Sequence, residues 1–487
     1  MPITPLRLTA EAAHDELAAR LAALPAELEL RRAFPAEVLA EARAAVEAAE
    51  LPDDDRTDLD FVTMDPPGAT DLDQAFLIER DGGGWRVFYA IADAAAFIAP
   101  GGAIDAEAHE RGQTIYAADG RIPLHPVEIS EGAASLLAGE LRSAYVWEHE
   151  LDARGEVTVS RVGRARIRSR RQLDYAAAQA DLEAGHGPDA GLLSLLREVG
   201  EARAACEAER DGASLPTPEI LVSMEEGRYT LDRRELLPIE TWNAQLSLMT
   251  GMAAAAMMLE GGVGILRTMP PADDEAVAKF RRQARALGTP WPEEQRYGDF
   301  LRRLDGADPA HLAILHAAAS LFRGAAYAPF DGAPPEATMQ AAVGAPYAHV
   351  TAPLRRLVDR YGLAICAALS ANEPVPGWAR DALPELPREM ARSTNTANRL
   401  ERLTLDTVEA ALLAPRIGEE FDAVVLSAGG RSGTPGPHGE RRDGGTVQLI
   451  HPAVEAACDG HLEPGTDARV RLVEADIATA TVRFATV

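Results

Sequence analysis

The sequence predicts an α+β protein built from three parts: a small helical N-terminal domain, a large mixed α/β domain and an all-β C-terminal domain. Three observations support this fold class. Leucines recur at helical spacing in residues 8–50, strand-like runs and long helical patterns share the centre, and short alternating runs occupy the end. The chain of 487 residues is long enough for about three domains of ~150 residues each. The predicted boundaries give residues 1–58, 59–414 and 415–487.

The N-terminal part is predicted to form two helices. Leu17, Leu21 and Leu24 recur at i, i+4 and i+7, which places them on one helix face. Pro25 is expected to end this helix, and Pro35 suits the first turn of the next one. The pair fits a helix-turn-helix unit that contacts nucleic acid, and it fits a packing appendage equally well.

The central part is predicted to begin with strands and to continue with helices. Most strand-like runs lie in residues 60–165, where apolar and polar residues alternate. Residues 172–330 are mostly helical in pattern, and residues 350–413 return to helices. Alternating runs separated by Gly-rich turns then fill residues 415–487, and their pattern and size predict an OB fold.

Composition limits the class of protein. The hydrophobic content of 47% and the charged content of 25% are typical of a globular protein. The sequence contains no run of about 18 apolar residues and its start lacks the features of a signal peptide, so we expect a cytoplasmic protein without membrane contact. Cys206, Cys366 and Cys458 are isolated, which fits a reducing compartment and offers no zinc spacing.

The net charge of −28 bears on possible partners. It disfavours loose, non-specific coating of a polyanion such as nucleic acid. It does not exclude a specific polyanion site, because a narrow channel lined with arginine and metal can be locally positive inside an acidic shell.

Residues 61–76 form the most informative stretch. An apolar run ends in Asp65, a Pro-Pro-Gly turn follows, and Asp71 and Asp73 come next at alternate positions. Carboxylates ~4 Å apart repel by ~4 kcal/mol per pair at an effective dielectric of ~20. A folded protein keeps such a cluster when a cation compensates it or when protons are taken up. A hard divalent metal such as magnesium fits oxygen ligands, and a solvated turn is the alternative.

Three further segments contain residues that could bind a phosphodiester. Arg355 and Arg356 follow a proline-fixed turn at the start of an apolar helix, where arginine can fork onto a phosphate beside the helix N-terminus. Tyr116 offers a ring on which a base could stack, although such aromatic residues more often belong to a core. Residues 398–402 form a charged patch on a helix, and His349 is interpreted as a packed histidine.

Taken together, these segments resemble the ribonuclease II / ribonuclease R (RNB-domain) exoribonucleases. The resemblance covers residues 60–414, and the family's usual OB domain follows. Residues 63–73 look like its metal-binding signature, residues 347–356 like its arginine motif, and residues 398–402 like its late glutamate motif. Residues 111–116 are similar to a segment that follows the metal-binding signature.

The resemblance implies a magnesium site, with manganese as a substitute. Asp65, Asp71 and Asp73 would hold the metal and order the attacking water, and Asp73 would be the most critical. The family usually has a fourth aspartate where this chain has Gln74. Because an amide oxygen can ligate a metal but brings no charge, one metal site is expected to be weaker or water-mediated.

The resemblance also implies the RNA contacts. Arg355 would grip the scissile phosphate and act in catalysis, with Arg356 beside it as a second RNA-binding residue. Glu401 would hold the 3′-terminal sugar, and Tyr116 would stack where the single strand leaves the buried channel. Two cold-shock OB domains normally precede the catalytic domain in this family, whereas only the predicted helical residues 1–58 precede it here.

The implied activity is processive 3′-to-5′ hydrolysis of RNA to nucleoside 5′-monophosphates by magnesium-dependent catalysis. The implied partners are single-stranded RNA and RNA with 3′ overhangs, without a membrane or a small-molecule cofactor, and the protein is expected to be a monomer. Two alternatives stay open. One is a catalytically inactive RNB-fold RNA-binding protein, and the other is a metal protein that does not bind nucleic acid.

Overall fold

The structure, a computed structural model, describes residues 6–7, 11–118, 120–213, 219–225, 228–234, 236–305, 308–319, 321–428, 444–449 and 454–487. Within these ranges a six-stranded sheet lies at the centre of the largest part, and a closed five-stranded barrel forms the C-terminal part. Helices cover the sheet. The predicted α+β class, with a mixed α/β centre and a β-barrel at the C-terminus, is confirmed.

The N-terminal segment contains a short strand and two helices: β1 (Leu6–Arg7), α1 (Glu11–Glu27) and α2 (Ala36–Ala48). The prediction that Pro25 ends the first helix is wrong, because α1 continues to Glu27. A proline in the last turn removes only one backbone hydrogen bond, so the helix tolerates it there. Glu29, with a φ of 57°, then redirects the chain, and α2 begins directly after Pro35 as predicted.

The next elements form the central sheet and a separate hairpin. In chain order they are β2 (Val62–Asp65), β3 (Gln74–Asp81), β4 (Gly84–Ala92), a 3₁₀ turn (Ala94–Ala96), α3 (Ala103–Arg111), β5 (Ile115–Ala117), β6 (Gly120–Ile122), a π-helical turn (Glu128–Ala133), β7 (Leu141–Leu151), β8 (Val157–Arg168) and β9 (Arg171–Asp174). The sheet order is β8-β7-β4-β3-β2-β9, in which only β2 and β9 pair in parallel. Among the described strands, β5 and β6 pair only with each other, and they place Tyr116 opposite Arg121.

The remainder of the central part is helical with four short strand pairings. Its elements are α4 (Tyr175–Ala184), α5 (Ala190–Glu209), β10 (Glu219–Glu225), β11 (Arg228–Arg234), α6 (Pro238–Gly261), β12 (Val263–Thr268), α7 (Asp274–Ala286), α8 (Tyr297–Arg302), α9 (Pro309–Ala319), β13 (Ala326–Asp331), β14 (Met339–Gln340), β15 (Ala345–Pro346), α10 (Leu357–Ser370), α11 (Gly377–Ala382) and α12 (Leu386–Leu413). The four pairings join β1 to β11, β10 to β11, β12 to β13 and β14 to β15. The helical prediction for residues 172–330 missed β10 to β13, because short apolar runs fit a strand and a buried helix alike.

Both faces of the central sheet are buried, and alternate residues of each strand supply the two cores. On β4, Tyr89 packs in a cluster with residues of α6 and α10, while its neighbour Phe88 packs in a second cluster with residues of α2 and α3. On β3, Phe76 belongs to the first cluster and Ala75 to the second. This two-sided packing holds the N-terminal end of β3 firmly, and that end carries the acidic segment.

The C-terminal strands close into a barrel. They are β16 (Glu420–Ala428), β17 (Gly444–Leu449), β18 (Glu455–Asp459), β19 (Asp467–Asp476) and β20 (Thr481–Thr486), in the barrel order β16-β17-β18-β20-β19. Five strands in a closed barrel are typical of the OB fold. The barrel has its own core, to which α12 contributes Leu413. Among the described helices, none combines the length and the apolar composition that crossing a membrane requires.

Candidate active site

The acidic segment is a turn that joins β2 to β3. Asp65 is the last residue of β2, and Asp73 directly precedes β3. Leu72 is fully buried, and its backbone N–H donates to Oγ of Ser135 at 3.0 Å. Because successive side chains of an extended segment point to opposite sides, the burial of Leu72 directs Asp71 and Asp73 away from it. The alternation and the burial of Leu72 therefore bring Asp71 and Asp73 to the same side of the turn.

Asp73 is bonded to the arginine motif. Its Oδ1 accepts the backbone N–H of Leu354 at 2.8 Å, and its Oδ2 accepts Nε–H of Arg355 at 2.6 Å. Only 1% of the side chain of Asp73 is exposed. Burial raises the pKa of Asp73 to about 6, and the two donors limit the rise. The contact places a candidate metal ligand and a candidate phosphate-binding residue side by side.

Asp65 lies in the same electrostatic environment. Burial raises the pKa of its carboxyl to about 7, the charges of Asp73 and Asp71 add to the rise, and Arg355 opposes it. Within the described ranges, no hydrogen bond or ion pair reaches the side chain of Asp65. Its oxygens thus remain available to a cation or to water.

Asp71 is paired with an arginine that sequence reasoning did not assign. Arg121 on β6 donates from Nη1 to Asp71, and its Nη2 lies 2.8 Å from Glu131 and 2.6 Å from Oγ1 of Thr70. Arg121 lies five residues after Tyr116 in the sequence, and nothing in the local pattern indicates a partner in the acidic turn. The pair ties the β5–β6 hairpin to the candidate metal site.

Asp65, Asp71 and Asp73 offer carboxylate oxygens, the ligand type that a hard divalent cation prefers. The three groups also interact electrostatically, because Asp73 and Asp71 raise the pKa of Asp65. In the part of the chain that the structure describes, however, no three Asp, Glu, His or Cys side chains are arranged to hold a metal ion together. Two of the three candidates are engaged with Arg121 and Arg355 instead. A cation at this site would therefore replace these arginines as the compensating charge of Asp71 and Asp73.

Gln74, the predicted fourth ligand position, is hydrogen-bonded at both ends of its amide. Its Nε2 donates to the carbonyl of Thr351 at 2.5 Å, and its Oε1 accepts the hydroxyl of Tyr89 at 3.2 Å. Thr351 and Tyr89 are both buried. The amide therefore connects the start of β3 to the arginine motif, and ligation of a metal would require Oε1 to be shared with Tyr89.

The candidate RNA-binding residues line one cleft of about 510 Å³. Its walls include Tyr116, Arg355, Arg356, Glu401 and Gln74. Tyr116 is 57% exposed, so this ring does not belong to the core. Glu401 is exposed on α12. The structure thus brings residues from four distant segments to the same cavity.

The two arginines of the motif differ in their surroundings. Arg356 donates from Nε to Oδ2 of Asp359 at 2.9 Å and from Nη2 to Oδ1 at 2.8 Å. Asp359 also accepts the backbone N–H of Ala352 at 2.7 Å, so Arg356 helps to shape the turn itself. Arg355 is 37% exposed and faces the cleft beyond its bond to Asp73.

Two backbone contacts join the Tyr116 segment to the arginine motif. The N–H of Thr114 donates to the carbonyl of Arg355 at 2.9 Å, and the N–H of Leu357 donates to the carbonyl of Gly112 at 2.9 Å. His349 is buried, and its Nδ1 lies 2.7 Å from the hydroxyl of Tyr327. This burial and this contact agree with its interpretation as a packed histidine, and burial also lowers the pKa of His349.

Two protein-family models match this chain. The RNB domain model matches residues 54–369, and the model of the RNase II-type exonuclease C-terminal S1 domain matches residues 419–487. Ribonuclease R of Escherichia coli (strain K12) is 24% identical over 401 residues, which cover 77% of this chain and 49% of that protein. The chain therefore spans about half the length of this relative.

Solved structures share the fold. RNase R of Mycoplasma genitalium in complex with ribose methylated single-stranded RNA superposes with a TM-score of 0.81 at 16% identity, covering 97% of this chain and 78% of that one. Yeast Ssd1, described as a pseudonuclease, superposes with a TM-score of 0.68 at 15% identity, covering 93% of this chain and 57% of that one. Because the RNB domain model matches most of its length, the chain belongs to the RNB-domain family.

Proposed function

We propose that this protein is a processive, magnesium-dependent exoribonuclease that hydrolyses RNA from its 3′ end to nucleoside 5′-monophosphates. The observation that supports the proposal most directly is the contact between Asp73 and Arg355 at the edge of the cleft. It joins a carboxylate suited to a metal with a guanidinium suited to a phosphate. Family membership supports the same reaction class.

The reaction requires an attacking water and a stabilised phosphate. Asp65, Asp71 and Asp73 would hold the metal, with manganese as a substitute for magnesium. A bound divalent ion supplies polarisation of the phosphodiester and activation of the water. Water attacks phosphorus, the bond to the 3′ oxygen of the preceding nucleotide breaks, and that oxygen leaves as the new 3′ hydroxyl of the shortened chain.

Arg355 would act on the phosphate. Its guanidinium is close enough to Asp73 to bond it and faces the cleft, so it can reach a phosphodiester beside the carboxylates. A guanidinium in that position compensates the charge that develops on the phosphate oxygens during attack. Arg356 would contribute positive charge from the same wall while it remains bonded to Asp359.

The resemblance placed Tyr116 where the strand leaves the channel, but because Tyr116 and Glu401 line one cleft we assign both to the terminal nucleotide. The exposed ring of Tyr116 offers a stacking surface for any base, which suits degradation without sequence preference. The carboxylate of Glu401 lines the same cleft and can accept hydrogen bonds from sugar hydroxyls. Contacts to the 2′-hydroxyl distinguish RNA from DNA.

The proposed substrates are single-stranded RNA and RNA with a 3′ overhang. The RNase R structure with single-stranded RNA supports this class of ligand. We further propose a cytoplasmic monomer, since Cys206, Cys366 and Cys458 are free and buried, as expected in a reducing compartment.

A second candidate is an inactive RNB-fold protein that binds RNA. The similarity to the pseudonuclease Ssd1 and the amide at position 74 favour it. The three aspartates and Arg355 favour the enzyme, because loss of catalysis removes the selection that keeps them.

One experiment separates the two candidates. A 5′-labelled single-stranded RNA is incubated with the protein, and products are resolved over time with magnesium and with a chelator. The enzyme predicts shortening from the 3′ end, release of nucleoside 5′-monophosphates and no reaction with the chelator. Intact RNA in magnesium, together with a stable protein–RNA complex in a gel shift, would instead identify an RNA-binding protein.

A further inference from the structure

Helix α1 packs in one hydrophobic cluster with two elements that line the candidate RNA-binding cleft, the β5–β6 hairpin and α12. Three of its leucines are almost completely buried, with exposures of 0%, 2% and 0% for Leu17, Leu21 and Leu24. They share one hydrophobic cluster with the β5–β6 hairpin, with α12 and with a turn of the C-terminal barrel. The other fully or nearly fully buried members of this cluster are Ile115, Ile122, Leu400, Val408, Ala411, Leu412 and Ile477.

Two members of this cluster directly precede the residues that would hold the terminal nucleotide. Ile115 is 4% exposed and precedes Tyr116, which is 57% exposed. Strand alternation explains the pair, because burying Ile115 in this cluster turns Tyr116 to the other side of the hairpin. On α12, Leu400 is 1% exposed and precedes the exposed Glu401.

The β5–β6 hairpin needs packing partners outside its own two strands. Its strands are three residues each and pair with no other strand in the part of the chain that the structure describes. An isolated two-stranded hairpin is marginally stable in water. The leucines of α1 belong to the same cluster as Ile115 and Ile122 of this hairpin and Leu400 of α12. The hairpin and the helix thus share one packed core, which fixes their separation.

Direct binding of RNA by α1 fits the charges poorly. The helix contains four carboxylates, Glu11, Asp15, Glu16 and Glu27, against one arginine. That arginine, Arg20, pairs with Glu27. An acidic helix repels the phosphate backbone. The charges therefore favour an indirect action of α1 on RNA.

We propose that α1 is a positioning element of the 3′-end pocket. Its leucines hold Tyr116 and Glu401 at the separation that a terminal nucleotide requires, without contacting the RNA. The inference rests on the proposed function, which assigns the terminal nucleotide to these two residues. In this role α1 neither contacts nucleic acid nor serves only as a packing appendage, the two roles that the sequence allowed.

The test substitutes Leu21→Ala and compares it with Leu301→Ala. Leu301 is fully buried in a separate cluster of the α7–α9 region, so the same truncation there disturbs packing elsewhere. We expect Leu21→Ala to lower kcat on single-stranded RNA about tenfold, because small displacements of positioning groups are costly. The dissociation constant of the RNA should change by less than about twofold, since the charges that bind the backbone are untouched.

Two readouts identify positioning rather than lost stability. The preference for a 3′-terminal ribonucleotide over a 3′-terminal 2′-deoxynucleotide should fall in Leu21→Ala and persist in Leu301→Ala. A 3′-terminal 2-aminopurine, bound in the presence of chelator, should be quenched by the wild type and less by Leu21→Ala, with Tyr116→Ala as the unstacked reference. Leu21→Met, which conserves volume, should restore both.

Equal behaviour of the two alanine variants would overturn the proposal, as would full quenching in Leu21→Ala. If Leu21→Ala does not fold, the milder Leu17→Val is measured in the same way. The quenching readout needs no hydrolysis. A wild type that binds RNA without degrading it therefore refutes the proposed activity while the quenching comparison still decides the role of α1.

Discussion

Arg355 and Asp73 are 282 positions apart in the sequence, and Nε of Arg355 donates to Oδ2 of Asp73 at 2.6 Å. Asp73 is buried, whereas Arg355 keeps 37% of its side chain exposed towards the cleft. Removing Arg355 would leave the buried carboxylate of Asp73 without its side-chain partner, whereas removing Asp73 would leave a partly exposed guanidinium that water can solvate. This contact therefore couples the acidic turn to the arginine motif, and changes at either residue should affect both.

Asp73→Asn should abolish RNA degradation, with a rate at least about a hundredfold lower, because it removes a charge from the proposed metal site. RNA binding should stay nearly intact, because Arg355 is released rather than lost. Product analysis on single-stranded RNA and a gel shift measure the two effects. Asp60→Asn is the control, since Asp60 is 74% exposed and pairs with Arg170 on the surface. Near-wild-type turnover of Asp73→Asn would refute the proposed site.

Gln74→Asp distinguishes a metal ligand from a structural link. If Gln74 ligates the metal, the added carboxylate should lower the magnesium concentration needed for half activity. The structure favours the opposite outcome, because an aspartate cannot donate to the buried carbonyl of Thr351. An unsatisfied buried carbonyl costs about 1–3 kcal/mol. We therefore expect about tenfold lower activity at saturating magnesium and no lower magnesium requirement.

Gln74→Met serves as the matched control for this prediction, since it keeps the length of the side chain and removes both hydrogen bonds without adding charge. A structural link predicts similar losses in the aspartate and methionine variants. Higher activity of Gln74→Asp at low magnesium would establish the ligand role instead.

Duplexes with short 3′ tails should be trimmed up to or into the duplex. The helices α1 and α2 pack onto the surface of the central part, where α1 contacts α12 and α2 joins the core beneath the sheet. Because both helices pack against the central part, we expect them to leave the entrance of the channel open. Sequencing the 3′ ends of the products from a tailed duplex measures the stopping point, with the free tail strand as the control. Stopping well outside the duplex would contradict the prediction.

Glu409→Gln should change how stability depends on pH. Glu409 is buried on α12, and burial raises its pKa to about 8, with Asp406 and Glu455 adding to the rise. The folded state therefore holds a proton that the unfolded state releases above its ordinary pKa of 4.5. Stability from this group is complete below that value and is lost as the pH rises through about 8.

A neutral glutamine does not incur this loss. The Tm of Glu409→Gln should thus match the wild type at pH 5 and exceed it by about 2 °C or more at pH 8.5. Thermal unfolding at both pH values measures the difference, with the exposed Glu373→Gln as the control. An equal offset at both pH values would argue against titration of Glu409.

Local patterns predicted the elements well where one periodicity dominated. Leu17, Leu21 and Leu24 indicated one buried helix face, and the structure buries all three. The alternating runs after residue 415 indicated a β-barrel, which is present. The end of α1 was misplaced because a proline near a helix end costs little. Strands β10 to β13 were missed because short runs lack a decisive period.

The sequence by itself determined which groups are available and how near neighbours are directed. Asp65, Asp71 and Asp73 lie close together along the chain because only a Pro-Pro-Gly turn and a few further residues separate them. The resemblance to the RNB-domain family also came from short motifs in a fixed order. These properties depend on positions a few residues apart, where backbone geometry alone relates the side chains.

The tertiary structure decided which distant groups meet. Arg355 on Asp73, Arg121 on Asp71 and the carbonyl of Thr351 on Gln74 join segments that no local period relates. The cluster that α1 shares with Ile115, the neighbour of Tyr116, also joins distant segments. Such contacts depend on how whole elements pack around the central sheet, and packing follows from the shape of the complete core rather than from any one stretch.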